Sequence, residues 1–518
     1  MSTQRDYAGA LAKLAQLQSN RTVTHLFGHK TTANDSSHDQ RRQQQQQQQS
    51  PIRAPAARDL NAAAIPEMLQ WLRRAGYSTR DLARMRHIHV AGTKGKGSVC
   101  AFATSMLRRH VGGGGGGGRP VGTCTSPHLV SPRERIAIDG EPISQAQFAT
   151  AFFELWDRFT ASAAARESGA GVAEAEGPAS KPFYFRFLTI LAWHVFLQEG
   201  VRDVVMECGI GGEYDATNVL PPDAVSAAVI TQLGIDHVAM LGDTAEEIAW
   251  HKAGILKDGV PAFTVTGGRQ LSTSGVRAVL RQRALDKNAK LVELDADEVA
   301  AWGGVPAPAM KGEYQKANQA LAVMAVRAHL GQELDTSLVN LPETTVKGLQ
   351  EATLRGRCEV LVHNGFTWLL DGAHTKESLE EVAKWVAQQQ TRTEEDGEEQ
   401  VILVFNQQER NASVLLRTLV EAVDRECGRR GVFSHALFTR NEPTADAVGR
   451  ELSVQEAALS TMRGLCPGCE VAVFDNVRDA VSRAERLVAR GSRSKVLVTG
   501  SLHLVGGALQ VLEPDTLL

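Results

Sequence analysis

The stretch Ile88–Ser98, Ile-His-Val-Ala-Gly-Thr-Lys-Gly-Lys-Gly-Ser, constrains this chain more than any other. It opens as an apolar, β-branched run, the pattern of a buried parallel strand. It then breaks at Gly92, Gly95 and Gly97 and continues as Val-Cys-Ala-Phe-Ala-Thr-Ser-Met-Leu-Arg-Arg, a helix pattern. Strand, glycine-rich turn and helix make a phosphate cradle: backbone N–H groups and the positive helix end face one anion, and Lys96 adds a point charge. The P-loop spacing G-x-x-x-x-G-K-[ST] is only approximated by Gly92-Thr93-Lys94-Gly95-Lys96-Gly97-Ser98. A glycine-rich βα turn that does no more than pack tightly has the same outline.

At 518 residues the chain is too long for one core, so two or more domains are expected. It is 43% apolar and 22% charged with a formal net charge of −3, a globular composition without the basic excess of a nucleic-acid binder. No window of about 18 uninterrupted apolar residues predicts a membrane span. The opening Met-Ser-Thr-Gln-Arg-Asp-Tyr lacks an apolar signal core and an arginine-rich transit pattern, so the expected location is the cytosol. Seven scattered cysteines fit reduced thiols. Cys466-Pro-Gly-Cys469 has metal-ligand spacing, but a zinc ribbon needs four ligands, and a turn is the better reading.

Tyr7, Leu11, Leu14 and Leu17 fall at helical spacing and predict an amphipathic first helix. From about residue 31 to 58 the sequence turns polar, with an uninterrupted glutamine run from Gln43 to Gln49. Such a segment buries too little apolar surface to offset its ordering entropy and is expected to be a disordered loop. Residues 112–118, all glycine, and the Ala/Gly/Glu-rich residues 161–180 are expected to be similar inserts.

Between the inserts the pattern is βαβ. A short strand ends at Ser126-Pro127, a helix covers Phe185 to Leu197, a buried strand from Asp203 ends in Glu207, and another runs from Ala227 to Gln232 before Gly234-Ile-Asp-His237. Such alternation predicts a parallel sheet with helices on both faces. Ligands bind beyond the carboxyl ends of such strands. Ser98, Ser126, Glu207 and His237 each follow a strand pattern, so all four are expected on one edge. Beside a phosphate cradle, Glu207 suits Mg2+, which takes oxygen ligands and keeps several waters. His237 is a further ligand candidate, its alternative a hydrogen-bonded turn histidine. Thr244-Ala-Glu-Glu247 is a capping-box pattern, and on the helix it starts Ile248 shares a face with Lys252. Lys252 then points inward or snorkels to the surface.

Beyond about Leu341 a second α/β pattern begins, with strands expected at Glu359-Val-Leu-Val, Thr367-Trp-Leu-Leu, Val401-Ile-Leu-Val-Phe and Lys495-Val-Leu-Val-Thr. Asp371, His374, Asn406, Ser501 and His503 lie at or after their ends. Arg357 lies near the domain junction, from which a cation can reach a nucleotide. The expected fold is therefore α/β: a P-loop-containing parallel-sheet ATPase domain, residues 1–345, and a smaller Rossmann-like domain, residues 346–518.

Seven ordered motifs carry a resemblance. Gly92-Thr-Lys-Gly-Lys-Gly-Ser98, Thr125-Ser-Pro-His-Leu129, Glu207-Cys-Gly-Ile-Gly-Gly212, Leu233-Gly-Ile-Asp-His237, His251-Lys-Ala-Gly-Ile255, Leu370-Asp-Gly-Ala-His374 and Thr499-Gly-Ser-Leu-His503 resemble the folylpolyglutamate synthases of the Mur ligase superfamily. Tyr184-Phe-Arg-Phe-Leu-Thr189 and Asp215-Ala-Thr-Asn218 resemble the eukaryotic members. The resemblance implies a ligase that passes the γ-phosphate of ATP to a folate carboxylate, making an acyl phosphate that the amine of L-glutamate attacks. Gly92, Thr93, Gly95, Lys96, Gly97 and Ser98 would hold the triphosphate. Ser126, Glu207 and His237 would correspond to ligands of two Mg2+ ions, with room for a monovalent cation such as K+. Lys252 matches a lysine that family members carbamylate. Asn318, Arg357 and Asp371 match nucleotide contacts, and His374 and Ser501 match positions near the incoming glutamate. Tyr314 stands where the family usually has His, which puts a nucleotide contact there in doubt. The implied partners are small molecules, namely reduced folate, glutamate and ATP, acting on a monomer in the cytosol with room for a mitochondrial isoform.

The chemistry fits these residues. A carboxylate is a poor electrophile until phosphorylated, and two anions can meet only where cations neutralise them. A P-loop small-molecule kinase would explain the cradle and Glu207 but not Lys252, Asp371 and His374. Dihydrofolate synthase, which uses the same chemistry on dihydropteroate, is the closer rival. A non-catalytic nucleotide binder should have lost Lys96 or Glu207.

Overall fold

The computed structural model describes residues 4–17, 57–111, 118–166, 175–267, 274–390, 399–408, 410–444, 451–488 and 494–514. The glutamine run and all but the last residue of the glycine run lie outside these. The first helix, Tyr7–Leu14, is capped by the Asp6 carboxylate, which accepts from Gly9 N at 2.8 Å.

The first sheet is built from β1 (Arg86–Ala91), β2 (Val121–Cys124), β3 (Ile136–Ile138), β4 (Glu141–Pro142), β5 (Asp203–Glu207), β6 (Val225–Ile230), β7 (Pro261–Thr266) and β8 (Lys290–Asp295). Their order is β4-β3-β2-β5-β1-β6-β7-β8. The six strands from β2 to β8 in that order are parallel, and β3 and β4 add an antiparallel edge. The strand that opens the cradle, β1, is thus central and buried at five of its six positions. Apolar runs without alternation are what a sheet covered on both faces requires. One cover is rich in aromatics: Phe148, Phe152 and Trp156 of the helix Gln145–Arg166 pack with Phe187 and Phe196 of the helix Tyr184–Gln198.

The insert expected at 161–180 is corrected at both ends. Residues 161–166 complete the helix Gln145–Arg166. Farther on, Ala175 is buried, and Glu176 accepts from Lys13 at 2.8 Å and from the Trp156 indole at 3.0 Å. Lys181 donates to Ala175 O at 2.8 Å. Glu176 finds its partners on other helices, one of them 163 residues away, which composition does not display.

The second sheet contains β9 (Glu359–His363), β10 (Phe366–Leu370), β11 (Gln400–Phe405), β12 (Phe433–Thr439), β13 (Glu470–Phe474) and β14 (Ser494–Thr499), ordered β13-β12-β11-β14-β10-β9. All neighbours are parallel except β9 against β10. The helices Lys376–Gln389, Ala412–Cys427 and Ser453–Leu465 build the core on one face, and Val477–Val488 and Leu502–Leu512 the other. Cys466 and Cys469 bracket a turn closed by Cys469 N donating to Cys466 O at 3.0 Å, and all seven cysteines are free thiols.

The chain falls into two units that are not contiguous in sequence. The first comprises Met1–Ser126, Arg135–Trp302 and Ala320–Leu341; the second comprises Pro127–Glu134, Gly303–Gln319 and Pro342–Leu518. The segment Pro127–Glu134 joins the second unit by seating Leu129 and Val130 on the core formed with the helix Leu502–Leu512. Its shape is fixed by one carboxylate: Glu134 accepts from Leu129 N and Val130 N at 2.8 Å and from Ser131 N at 2.6 Å. Among the described residues no helix is long and apolar enough to cross a membrane.

Candidate active site

In the first unit β2, β5, β1 and β6 are parallel neighbours, so their carboxyl ends share one edge. Gly92 leaves β1 with φ of +148°, and a Cβ there would lie 1.8 Å from Thr231 Oγ1. Only glycine lets the turn pass this close to the end of β6. Gly95 follows with φ of +92°. The turn is pinned sideways: Thr93 N and Lys94 N donate to Gln232 O at 2.9 and 3.1 Å, and Thr93 Oγ1 accepts from Gly234 N at 3.0 Å. The helix Lys96–Val111 then begins, placing Lys96, Gly97 and Ser98 in the first turn, where backbone N–H groups point out of the helix.

Two lysines converge on this turn. Lys252 ends the helix Ala245–Lys252, which starts at the expected capping box of Thr244 and Glu247. Its side chain is turned inward, 2% exposed, and Nζ donates to Gly92 O at 2.8 Å. Lys96 Nζ donates to the same carbonyl at 3.1 Å. Burial and then repulsion from Lys96 lower the Lys252 amine to about 7. Opposite Lys96 stands Glu207, the last residue of β5 and 4% exposed; its Oε1 is 3.9 Å from Lys96 Nζ. Glu207 Oε2 accepts from Ser126 N at 3.0 Å, which ties the ends of β2 and β5 together. Gly92, Lys96, Ser126, Glu207 and Lys252 therefore form one connected group.

His237 is placed differently. It sits in the left-handed region with φ of +51°, heads the short helix Val238–Leu241, and its side chain is 43% exposed, with Nε2 3.7 Å from Asp236 Oδ2. The negative charge of Asp236 acts on Lys252. Among the described residues no group of three or more His, Cys, Asp or Glu side chains is placed to hold a metal ion. The donor set that is present, one buried carboxylate beside a serine and a phosphate cradle, still suits Mg2+, which is commonly bound by one or two carboxylates plus substrate phosphates and waters.

In the second unit Asp371 follows β10 and is 5% exposed. It accepts from Cys358 N and Ala373 N, both at 2.8 Å. Burial raises its carboxyl above the usual range, while the charge of Arg357 opposes the rise. Gly372 is wedged: a Cβ would lie 2.2 Å from Leu502 Cδ2 and 3.0 Å from a terminal nitrogen of Arg357. This brings Arg357, Asp371 and the β10 end against the start of the helix Leu502–Leu512, whose cap is Ser501, with Oγ accepting from His503 N at 3.1 Å. The bond between His374 Nδ1 and Gly372 O, at 2.9 Å, assigns the proton to Nδ1. Asn318 is buried and donates to Gln315 Oε1 at 2.8 Å. Tyr314 packs its ring on Gly312 and sets its hydroxyl 3.6 Å from the Cys358 thiol, next to Arg357. Burial pushes that hydroxyl's pKa well up.

One linkage escaped the sequence reading, although the motifs that contain Cys208, Asp215 and Thr217 did not. His89, Cys208, Asp215 and Thr217 are linked in a buried cluster under Glu207. The available signal was His89 itself, a polar side chain inside an apolar strand that must find a partner.

Known proteins bear on this arrangement. A family model described as dihydrofolate synthetase, C-terminal domain, matches residues 355–511. A solved structure of Mycobacterium tuberculosis folylpolyglutamate synthase complexed with ADP and AMPPCP is similar with a TM-score of 0.66 and 25% identity, over 87% of this chain and 96% of that one. Folylpolyglutamate synthase of Saccharomyces cerevisiae is 37% identical over 478 residues, 88% of this chain and 82% of that protein. The Neurospora crassa folylpolyglutamate synthase is 40% identical over 475 residues, 88% of this chain and 86% of its own length. At that identity and coverage, the chain belongs to the folylpolyglutamate synthase family.

Proposed function

We propose that the chain is an ATP-dependent ligase that adds L-glutamate to the γ-carboxylate of reduced folate polyglutamates. The observation that carries this reading is the pair Lys96 and Lys252 on one carbonyl oxygen, with Glu207 beside them, at the mouth of a phosphate cradle. The Lys96 ammonium at the first helical turn suits an anion such as a triphosphate, and a second lysine packed beside it is pushed toward its neutral form.

Each residue then has a task. The first turn of the helix Lys96–Val111 and the Lys96 ammonium hold the β- and γ-phosphates. Ser98 adds a hydroxyl at the same end. Glu207 and Ser126 would hold one Mg2+, with His237 nearest a second. When bound, Mg2+ would offset phosphate charge as the γ-phosphoryl group moves to the folate carboxylate. In the second unit Asn318, Arg357 and Asp371 serve the nucleotide. His374 and Ser501, after neighbouring parallel strands, orient the glutamate whose amine displaces phosphate from the acyl phosphate. With the proton on Nδ1, Nε2 of His374 carries the ring's basic lone pair, suited to take a proton from that amine. Lys252, held at about 7, is an uncharged amine for much of the time at neutral pH. We propose that it attacks CO2, forming an N–C bond and releasing a proton. The resulting carbamate is an anion suited to a hard cation. Free thiols throughout accord with a reducing compartment such as the cytosol.

The match to a dihydrofolate synthetase C-terminal domain favours one second reading, the same ligation on dihydropteroate. Glutamate-dependent ADP release, measured in parallel with a tetrahydrofolate and with dihydropteroate, separates the two. The proposed function requires the tetrahydrofolate reaction, and turnover with neither acceptor would refute it.

A further inference from the structure

We propose that Asp215, through a hydrogen-bond chain from His89 and Thr217, is a positioning residue that fixes the spacing between Glu207 and Lys252. The proposal rests on the reading of those two residues given above. Asp215 is buried, 6% exposed, and takes four protein donors. Its Oδ2 accepts from Gly209 N at 2.9 Å and from Ile210 N at 3.1 Å, the turn that directly follows Glu207. Its Oδ1 accepts from Thr217 N at 2.9 Å and from the Thr217 hydroxyl at 2.6 Å.

The direction of the chain follows from counting protons. The Thr217 hydroxyl has one, given to Asp215, so toward His89 Nε2 at 2.8 Å it can only accept. His89 therefore carries its proton on Nε2, with the Cys208 sulfur 3.2 Å from the same nitrogen. His89 lies on β1 next to Val90, which stands in register with Glu207 on β5. The chain thus starts on the cradle strand itself and ends on the turn after Glu207.

That turn also reaches Lys252. A Cβ on Gly212 would lie 2.7 Å from both His251 O and Lys252 O, and Glu213 N donates to His251 O at 2.7 Å. Glu207 and Lys252 are therefore joined by six residues of chain held at one end by Asp215 and at the other by the carbonyls of the Lys252 helix. Loosening Asp215 frees the carboxylate and the amine to drift apart, although neither is altered.

The test compares Thr217→Ser with Thr217→Val in the full chain, reading ADP binding by calorimetry with and without Mg2+. Valine keeps the shape of threonine and loses the hydroxyl; serine keeps the hydroxyl and loses the methyl. Positioning through the hydroxyl predicts about tenfold weaker ADP binding with Mg2+ for Thr217→Val, the loss expected for one hydrogen bond to a charged group. Thr217→Ser should stay within about twofold of wild type, and binding without Mg2+ should change little in either. Equal binding by both variants, or a larger loss in Thr217→Ser, would show simple packing and overturn the proposal. If Thr217→Val fails to fold, His89→Phe removes the first donor while filling its space, and unaltered ADP binding with Mg2+ would refute the chain's role. Failure of the wild type to bind ADP would instead strike the functional reading.

Discussion

Replacing Lys252 by Met isolates the electrostatics of the site. Burial, then repulsion from Lys96, holds this amine at about 7 against an ordinary 10.5. An unfolded chain keeps the ordinary value, so from about pH 7 to 10.5 the unfolded state binds the extra proton and stability rises with pH. Below that window both states are protonated and the penalty is full and constant. At roughly 1.4 kcal/mol per pH unit, discharging the amine costs the fold on the order of 4 kcal/mol at pH 7. Met keeps most of the apolar stem and has no proton to lose; the missing bond to Gly92 O offsets about 1 kcal/mol of the gain. Lys252→Met should therefore melt several degrees higher than wild type near pH 7. In bicarbonate-free buffer, melts from about pH 6 to 10 should show the wild-type Tm climbing toward that of the variant above neutrality. Parallel curves, or a variant less stable at every pH, would refute the claim that the native site holds Lys252 discharged.

Lys96→Ala should leave the melting temperature nearly unchanged and abolish folate- and glutamate-dependent ADP release, because it removes the cation 3.9 Å from Glu207 and little packing. Gly92→Ala places a methyl 1.8 Å from Thr231 Oγ1 at φ of +148°, so it should lose about 2 kcal/mol or more in a urea melt and bind ADP poorly. Tyr314→Phe deletes a hydroxyl whose partner is a thiol at 3.6 Å, so stability should fall by less than about 1 kcal/mol and the KM for ATP should hardly move.

Much of the first unit's edge was legible because it depends on local pattern. An apolar run followed by three glycines specifies strand, turn and helix, and strand-end placement puts Ser98, Ser126 and Glu207 on one edge. Thr244 and Glu247 announced their helix through a capping box, and Ile248 chose the face that carries Lys252 inward. The illegible parts depend on partners far away in sequence. Glu176 and Lys181 look like loop residues until Lys13 and Trp156 are brought to them. Likewise, Pro127–Glu134 and Gly303–Gln319 sit within the expected first domain by sequence, yet they pack in the second unit. His237 follows a strand as anticipated, but the left-handed turn leaves its ring half in solvent. Tyr314 lies beside the Arg357–Asp371 group through Cys358, a contact no spacing rule announces.

The seating of Leu129 also bears on how the protein is made. Its carbonyl lies so close to Gly506 that a Cβ there would be 2.1 Å away, and Gly356 and Val505 complete the seat. On the ribosome, at about 5–20 residues per second, those partners emerge on the order of tens of seconds after Leu129. Throughout that interval Pro127–Glu134 has no surface to dock on, so the first unit must mature around a segment that belongs elsewhere. Nor does cutting the chain between residues 345 and 346 free an autonomous second half. The C-terminal piece would lack both Pro127–Glu134 and Gly303–Gln319, leaving apolar surface of the 502–512 helix bare and prone to aggregation.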